Sequence, residues 1–289
     1  AVDSELQVNE NDTQIHIKGR EFAYTIDRRT ALFTEMKFAG REYLNHPMEL
    51  NIWRAPTDND MYIKAEWKKA HYDKAYTRAY TTEVVQGKHG VKIVSHASVV
   101  AETVQKILDV TITWKIDASG KIDADIEATK DGEFPDLPRF GVRMFLDKKL
   151  SDARYFGMGP QESYRDKHQA ASHGLYRANV RDLHEDYIRP QENGSHYDCG
   201  YVELNNSRYG IVASAEKAFS FNASYYTQEE LEKKTHNYEL IESDSVVFCV
   251  DYALNGIGSN SCGPVVLEQY RFDDVLFRFQ FTLIPYVKG

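Results

Sequence analysis

The chain has 289 residues, 42% of them hydrophobic, enough at this length to bury about three quarters of the unfolded surface in one large domain or two ordinary ones. Its 44 acidic and 35 basic residues give a net charge of −9 with no dominant Lys/Arg run, which argues against a nucleic-acid partner and for a mixed, soluble exterior. No apolar run approaches a membrane span, no secretion leader is legible at the N-terminus, and Cys199, Cys249 and Cys262 show neither paired nor Cys-x-x-Cys spacing.

A period of two begins early. Ile15 and Ile17, then Phe22, Tyr24 and Ile26, then Leu32, Phe33, Met36 and Phe38 predict strands over 13–45, separated by turn clusters such as Lys18-Gly19-Arg20. Residues 51–60, NIWRAPTDND, fit neither strand nor helix. Pro56 removes a backbone donor and holds Ala55 extended, and Asp and Asn disfavour the pleat. They predict a fixed loop anchored by Trp53 and stiffened by Pro56, with the oxygens of Asp58, Asn59 and Asp60 at its tip. Composition alone favours a turn in which Asp58 and Asn59 bond their own backbone. If Asp58 pairs with Arg54 inside the fold, its removal strands a charge. Residues 61–80 are spaced like a short helix followed by a loop.

The clearest hairpin lies in 83–130. Val110, Ile112, Trp114 and Ile116 alternate, as do Ile122, Ala124, Ile126 and Ala128, around a turn in which Gly120 is free to take positive φ. Lys115, Lys121, Asp123, Asp125 and Glu127 lie opposite, so one face of this sheet is expected to meet water. After a break at 134–138, further strands are predicted at 139–146, 153–157, 201–205, 209–215, 219–225, 245–252 and 275–284, with Cys249 in the core. A short helix fits Gln228 to Lys234, capped by Thr227 and with Glu229 and Glu230 in its first turn. Many strands, few short helices and frequent turns predict an all-β fold, one large antiparallel β-sandwich spanning 1–289.

Five segments together carry a resemblance: WRAPTDND at 53–60, FGMGPQESYRDK at 156–167, IRPQENGSH at 188–196, FNASYYTQEELEKKTHNYEL at 221–240 and GIGSNSCGP at 256–264. In this order they resemble the C-terminal domain, of small-chain type, of bacterial β-galactosidases of glycoside hydrolase family two, over essentially the whole chain. Lys167 and His196 each stand where that family usually has Arg. The resemblance implies a super-sandwich like that of galactose mutarotases. It also implies docking on the catalytic TIM barrel of the same enzyme, a galactoside substrate such as lactose and a homo-oligomeric whole. It implies Mg or Na in the whole enzyme and no cofactor in this chain. No nucleic acid or membrane partner is expected. The compartment is unknown, with the cytoplasm favoured, or the periplasm if a full-length chain carries a leader.

The resemblance implies that the second loop reaches toward the sugar site, and the polarity and turn chemistry of both loops, each held between strands, predict that they share that pocket: Arg54, Asp58, Asn59 and Asp60 on the first, Ser259, Asn260, Ser261 and Cys262 on the second. Gly256, Gly258 and Gly263 allow close approach, and the Ser and Asn groups suit sugar hydroxyls. Some family members carry Trp at the place of Cys262, whose thiol offers no comparable stacking area and would serve equally as a packing residue. Trp53, Glu162, Glu192, Asn193 and His196 are assigned structural or pocket roles. Both loops are expected at one end of the sandwich, beside an exposed apolar patch near Trp53 and Trp67.

Glycoside hydrolysis with retention needs two carboxylates ~5–5.5 Å apart. Glu162 and Glu192 are the candidates, and neither has an acid partner in its own motif. No eight-fold β/α pattern is present, so no residue here is expected to be catalytic. His168, His173, His184 and His196 lack metal-ligand spacing, and Asp58 with Asp60 makes a weak cation site, so no metal is expected. The rival reading is a free-standing aldose 1-epimerase-like or sugar-binding protein, for which Glu192 with His196 is the nearest acid–base pairing.

Overall fold

The computed structural model describes residues 6–103 and 105–288. Its first five strands form a meander: β1 (Gln7–Glu10), β2 (Gln14–Lys18), β3 (Phe22–Asp27), β4 (Leu32–Phe38) and β5 (Arg41–Glu42). A second sheet holds twelve strands. These are β6 (Leu44–Asn51), β7 (Tyr76–Gly87), β8 (Gly90–Val100), β9 (Leu108–Asp117), β10 (Ile122–Lys130), β11 (Arg139–Asp147), β12 (Asp152–Gly159), β13 (Ser172–Asn179), β14 (Ser195–Asn205), β15 (Tyr209–Ser224), β16 (Ser245–Leu254) and β17 (Leu276–Val287). Every pairing is antiparallel. The main path runs β13-β12-β14-β15-β17-β10-β9-β8-β7, and a branch leaves β15 through β16 and β11 to β6.

The pattern of the predicted hairpin explains how the two sheets meet. Ile122 sits opposite Ile116 and Ala124 opposite Trp114, with Gly120 at φ +88° in the turn. The apolar rows of β9, β10 and β17 are buried; the meander covers their Trp114 end, and Phe140 of β11 packs on Phe277 at the other. Phe33 packs edge-on to Trp114 with ring centroids 4.9 Å apart. The Trp114 indole N–H donates to the Ala31 carbonyl at 2.8 Å, and the Tyr24 hydroxyl donates to the Gly120 carbonyl at 2.7 Å. These two bonds satisfy polar atoms that the aromatic packing would otherwise bury unpaired. The opposite face carries Lys115, Asp123, Asp125, Arg278 and Gln280, none of them buried.

Several expectations need correction. The 201–205 strand begins earlier, at Ser195, and the two strands predicted at 209–215 and 219–225 are one, β15. The helix predicted after the first loop is α1 (Ile63–Lys69), but residue 76 already opens β7. The second helix, α2 (Gln228–Lys233), forms where expected, with the Thr227 hydroxyl accepting from the Glu230 amide at 3.1 Å. Cys249 is in the core, as is Cys199.

Candidate functional site

The first loop leaves β6 at Asn51 and is held from inside. Trp53 and Trp67 are both buried and meet edge to face at 6.2 Å, so the expected exposed patch does not include the indoles. The Trp53 N–H donates to Glu232 of α2 at 3.1 Å, and the Trp67 N–H donates to the Asp136 carbonyl at 2.8 Å. Large side chains exposed near this end are instead Met61 and Tyr62, with Ile188, Tyr238 and Ile241 further along.

Arg54 points inward and is fully buried. Its partner is Asp60: Nε and Nη2 donate to Asp60 Oδ2 and Oδ1 at 3.1 and 2.7 Å. Its remaining donations go to the carbonyls of Asn255 at 2.5 Å and Gly256 at 3.1 Å. Asp60 Oδ2 also accepts from the Thr57 amide at 2.9 Å, which closes the short 3-10 turn at Asp58–Asp60. Arg54 and Asp60 therefore have no group open to a ligand. Their place in the pocket is corrected to that of an internal clamp. Asp58 is exposed and meets Gln191 twice, the amide N–H donating to Gln191 Oε1 at 3.1 Å and Gln191 Nε2 donating to Asp58 Oδ2 at 3.2 Å.

The structure brings the two predicted loops together. Asn59 Nδ2 donates to the Gly258 carbonyl at 2.7 Å, and the Ser261 hydroxyl donates to Asn59 Oδ1 at 2.8 Å. Asp166, a residue the sequence reading quoted but gave no role, fixes the second loop from its other side. Its two oxygens accept from the amides of Ile257 at 2.9 Å and Gly258 at 2.7 Å. Gly258 takes φ +66°, a conformation that favours glycine. Ser259, Ser261 and Cys262 are exposed and Asn260 is half-buried, so Cys262 is not a packing residue.

Beneath the loops lies a cavity of about 250 Å³, lined by Asp58, Asn59, Ser261, Glu162, Glu192, Tyr164, Lys167, Tyr187, Gln191 and neighbouring atoms of Thr57 and Ile257. Its two predicted carboxylates are both engaged. Glu162 accepts from Lys167 Nζ at 2.5 Å, from the Tyr187 hydroxyl, and from the Gly194 amide at 2.8 Å. Gly194 takes φ +71°, and a Cβ there would lie 2.3 Å from the Leu183 carbonyl oxygen. Glu192 is buried and accepts from Arg139 Nη1 at 3.2 Å, while the Tyr164 hydroxyl approaches its other oxygen at 3.4 Å. Arg139 also binds Asp251, with 3.1 and 2.5 Å contacts. Burial pushes the Glu192 carboxyl above the usual carboxylate range, against the pull of Arg139 and Arg54.

Asn193 is buried and spent on the main chain, accepting from the Glu185 amide at 3.0 Å and donating to the Gln191 carbonyl at 2.9 Å. His196 is buried between Tyr155 and Phe221, with Nδ1 3.1 Å from the Met158 carbonyl oxygen and no partner for Nε2. Burial lowers its pKa to about 4, so the ring is neutral. No hydrogen bond joins it to Glu192 among the described residues, so the pairing considered for an epimerase is not brought together. The groups that sequence reasoning missed are Asp166, Tyr187 and Gln191. Asp166 and Gln191 lie inside the quoted motifs, whereas Tyr187 stands one residue before one.

An all-β super-sandwich that gathers five separated motifs at one end defines a narrow class. Residues 18–283 match the family model of the beta galactosidase small chain. A β-galactosidase of Actinobacillus pleuropneumoniae is 44% identical over 281 residues, which are 97% of this chain and 28% of that protein. One from Staphylococcus xylosus is 32% identical over 282 residues, again 97% and 28%. The chain thus belongs to the β-galactosidase small-chain family and spans about 28% of the length of these relatives. Among solved structures, a galactose 1-epimerase from Lactobacillus acidophilus NCFM aligns over all of both chains with a TM-score of 0.50 at 8% identity, a likeness that shows the fold.

Proposed function

We propose that this chain is the non-catalytic, C-terminal part of a β-galactosidase. Its role is to dock on the catalytic barrel and supply hydrogen-bonding groups from two rigid loops to one side of the galactoside pocket. The observation that carries this reading is the state of the two glutamates predicted as candidates. Glu192 is buried against Arg139, and Glu162 is held by a lysine, a tyrosine and a backbone amide. Neither is placed as a free acid or nucleophile, while the neighbouring loop leaves Ser259 and Ser261 exposed and Asn260 half-exposed. The exposed Met61, Tyr62 and Ile188 around the same end support a docking face, since they would bury apolar surface on assembly.

The test is reassembly. The purified chain alone should not hydrolyse nitrophenyl-β-galactoside, and addition of the matching catalytic part should restore turnover. Hydrogen exchange at 53–67 should slow in the assembled enzyme. Turnover by the chain alone that disappears in Glu162→Gln or Glu192→Gln overturns the reading. Catalysed mutarotation of fresh α-galactose by the chain alone, followed by polarimetry, would favour the epimerase-like alternative that the fold likeness keeps in view.

A further inference from the structure

A second cavity, of about 510 Å³, adjoins the first at Tyr164 and opens where β15 changes partners. β15 pairs with β17 over 209–214 and with β16 over 220–224. Residues 215–219 pair with neither of them. On the facing walls, 276–281 of β17 and 252–254 of β16 likewise have no partner in β15. Three stretches of strand therefore turn unpaired main-chain donors and acceptors toward one cleft. Such groups take partners from water while the cleft is open and offer them to a ligand that enters it.

The side chains narrow what that is. The polar floor seen on β9, β10 and β17 belongs to this cleft. Asp125 is held by Arg278 at 2.8 and 2.5 Å and by Gln280 Nε2 at 3.1 Å, and Asp123 accepts from the Thr282 hydroxyl at 2.7 Å. These groups are fixed in orientation before any ligand arrives, which lowers the cost of binding. The charges cancel: Lys115, Arg165, Lys217 and Arg278 face Asp123, Asp125, Asp198 and Glu216. Neither sign of charge dominates the lining, so it does not select for a net-charged ligand. Two half-buried aromatic rings complete it, Tyr252 lying flat on Phe277 at 5.1 Å and Tyr197 on His168 at 5.5 Å. Fixed donors and acceptors, zero net charge and braced aromatic faces match hydroxyl groups that both donate and accept, together with the C–H face of a sugar ring. The volume falls in the range of small-ligand pockets.

We propose that this fork in the sheet is a second carbohydrate site, taking a neutral mono- or disaccharide, which adjoins the loop-end cavity at Tyr164 but does not rest on the function proposed there. The test is a titration of the isotope-labelled 289-residue chain with galactose, lactose and inorganic phosphate, read by amide shifts. The neutral sugars should give saturable shifts in 215–219 and 276–282, and phosphate none. Ala218→Trp, at an exposed position lining the cleft, should abolish the response. Gln280→Ala should weaken it about 2- to 10-fold, the worth of one hydrogen bond, and Asn260→Ala should leave it intact. The proposal is overturned by shifts that stay linear up to about 100 mM sugar, by an equal response to phosphate, or by shifts confined to 256–264. That last outcome would leave the loop-end reading standing.

Discussion

Asp58 and Asp60 are the same residue type two positions apart, and the structure assigns them opposite costs. Asp60→Ala removes two charge-assisted bonds to a fully buried guanidinium, at 2.7 and 3.1 Å, and one to the Thr57 amide at 2.9 Å. The other groups that Arg54 hydrogen-bonds are carbonyl oxygens, so the buried guanidinium is left without a bonded counter-charge. Breaking a buried pair this way costs about 3–5 kcal/mol. At roughly 2 °C per kcal/mol for a chain of this size, the melting temperature should fall by about 6–10 °C. Asp58→Ala loses one contact to Gln191 at an exposed position and should stay within about 0.5 kcal/mol. Urea unfolding of both variants beside the parent measures the difference. A second step separates stranded charge from a damaged turn: Arg54→Met in the Asp60→Ala background should recover part of the loss. Asp60→Ala no more costly than Asp58→Ala, or a double variant worse than the single, would refute the clamp.

Four further outcomes are expected. Native protein should react with a thiol reagent at Cys262 alone, because Cys199 and Cys249 are buried, and burial pushes the Cys249 thiol up to about 12 and the Cys199 thiol higher still. His196, kept neutral with a folded pKa of about 4, contributes stability that is whole above its unfolded pKa near 6.5 and is lost as pH falls toward 4, by up to about 3 kcal/mol. The difference in pH dependence of unfolding between parent and His196→Phe measures it. Gly194→Ala should cost more than about 1 kcal/mol, from positive φ and the 2.3 Å approach to the Leu183 carbonyl oxygen, and circular dichroism melts would show it. In the reassembled enzyme, Asn260→Ala should lower kcat/KM by about 0.5–1.5 kcal/mol while the melting temperature stays put, since Asn260 makes no side-chain hydrogen bond among the described residues.

The parts of the fold that were legible are those where the two faces of a strand meet different surroundings. β9 and β10 alternate because the meander covers one face and the polar cleft lies on the other, so their pairing could be read from residues 110–128 alone. β13 was missed because, as an outer strand, it buries almost nothing, and its place comes from pairing with β12. β15 read as two strands because Glu216 and Lys217 interrupt its apolar pattern, at the stretch where it passes between partners. At the site, Trp53 and Pro56 announced a fixed loop, but nothing local says which acid Arg54 takes. The turn at 58–60 decides it by swinging Asp60 inward and Asp58 out. Asp166 was beyond reach for a different reason: its partners are amides some ninety residues away, and main-chain donors leave no mark on composition.

The buried charges at this end make more sense as positioning devices than as sources of stability. An ion pair inside a protein roughly repays its own desolvation, so Arg54 with Asp60 and Arg139 with Asp251 and Glu192 are weak evidence for a tighter fold. What they do is geometric. Arg54 holds the carbonyls of Asn255 and Gly256, and Asp166 holds the amides of Ile257 and Gly258, so three consecutive peptide groups are gripped by charges of opposite sign. Asn59 takes the Gly258 carbonyl and ties this run to the first loop. An apolar core at the same place could bury as much surface, but it would not fix the direction of each carbonyl and N–H. The segment that follows, Ser259–Cys262, is thus presented from a base whose backbone orientation is set on both sides, and its exposed groups inherit that precision.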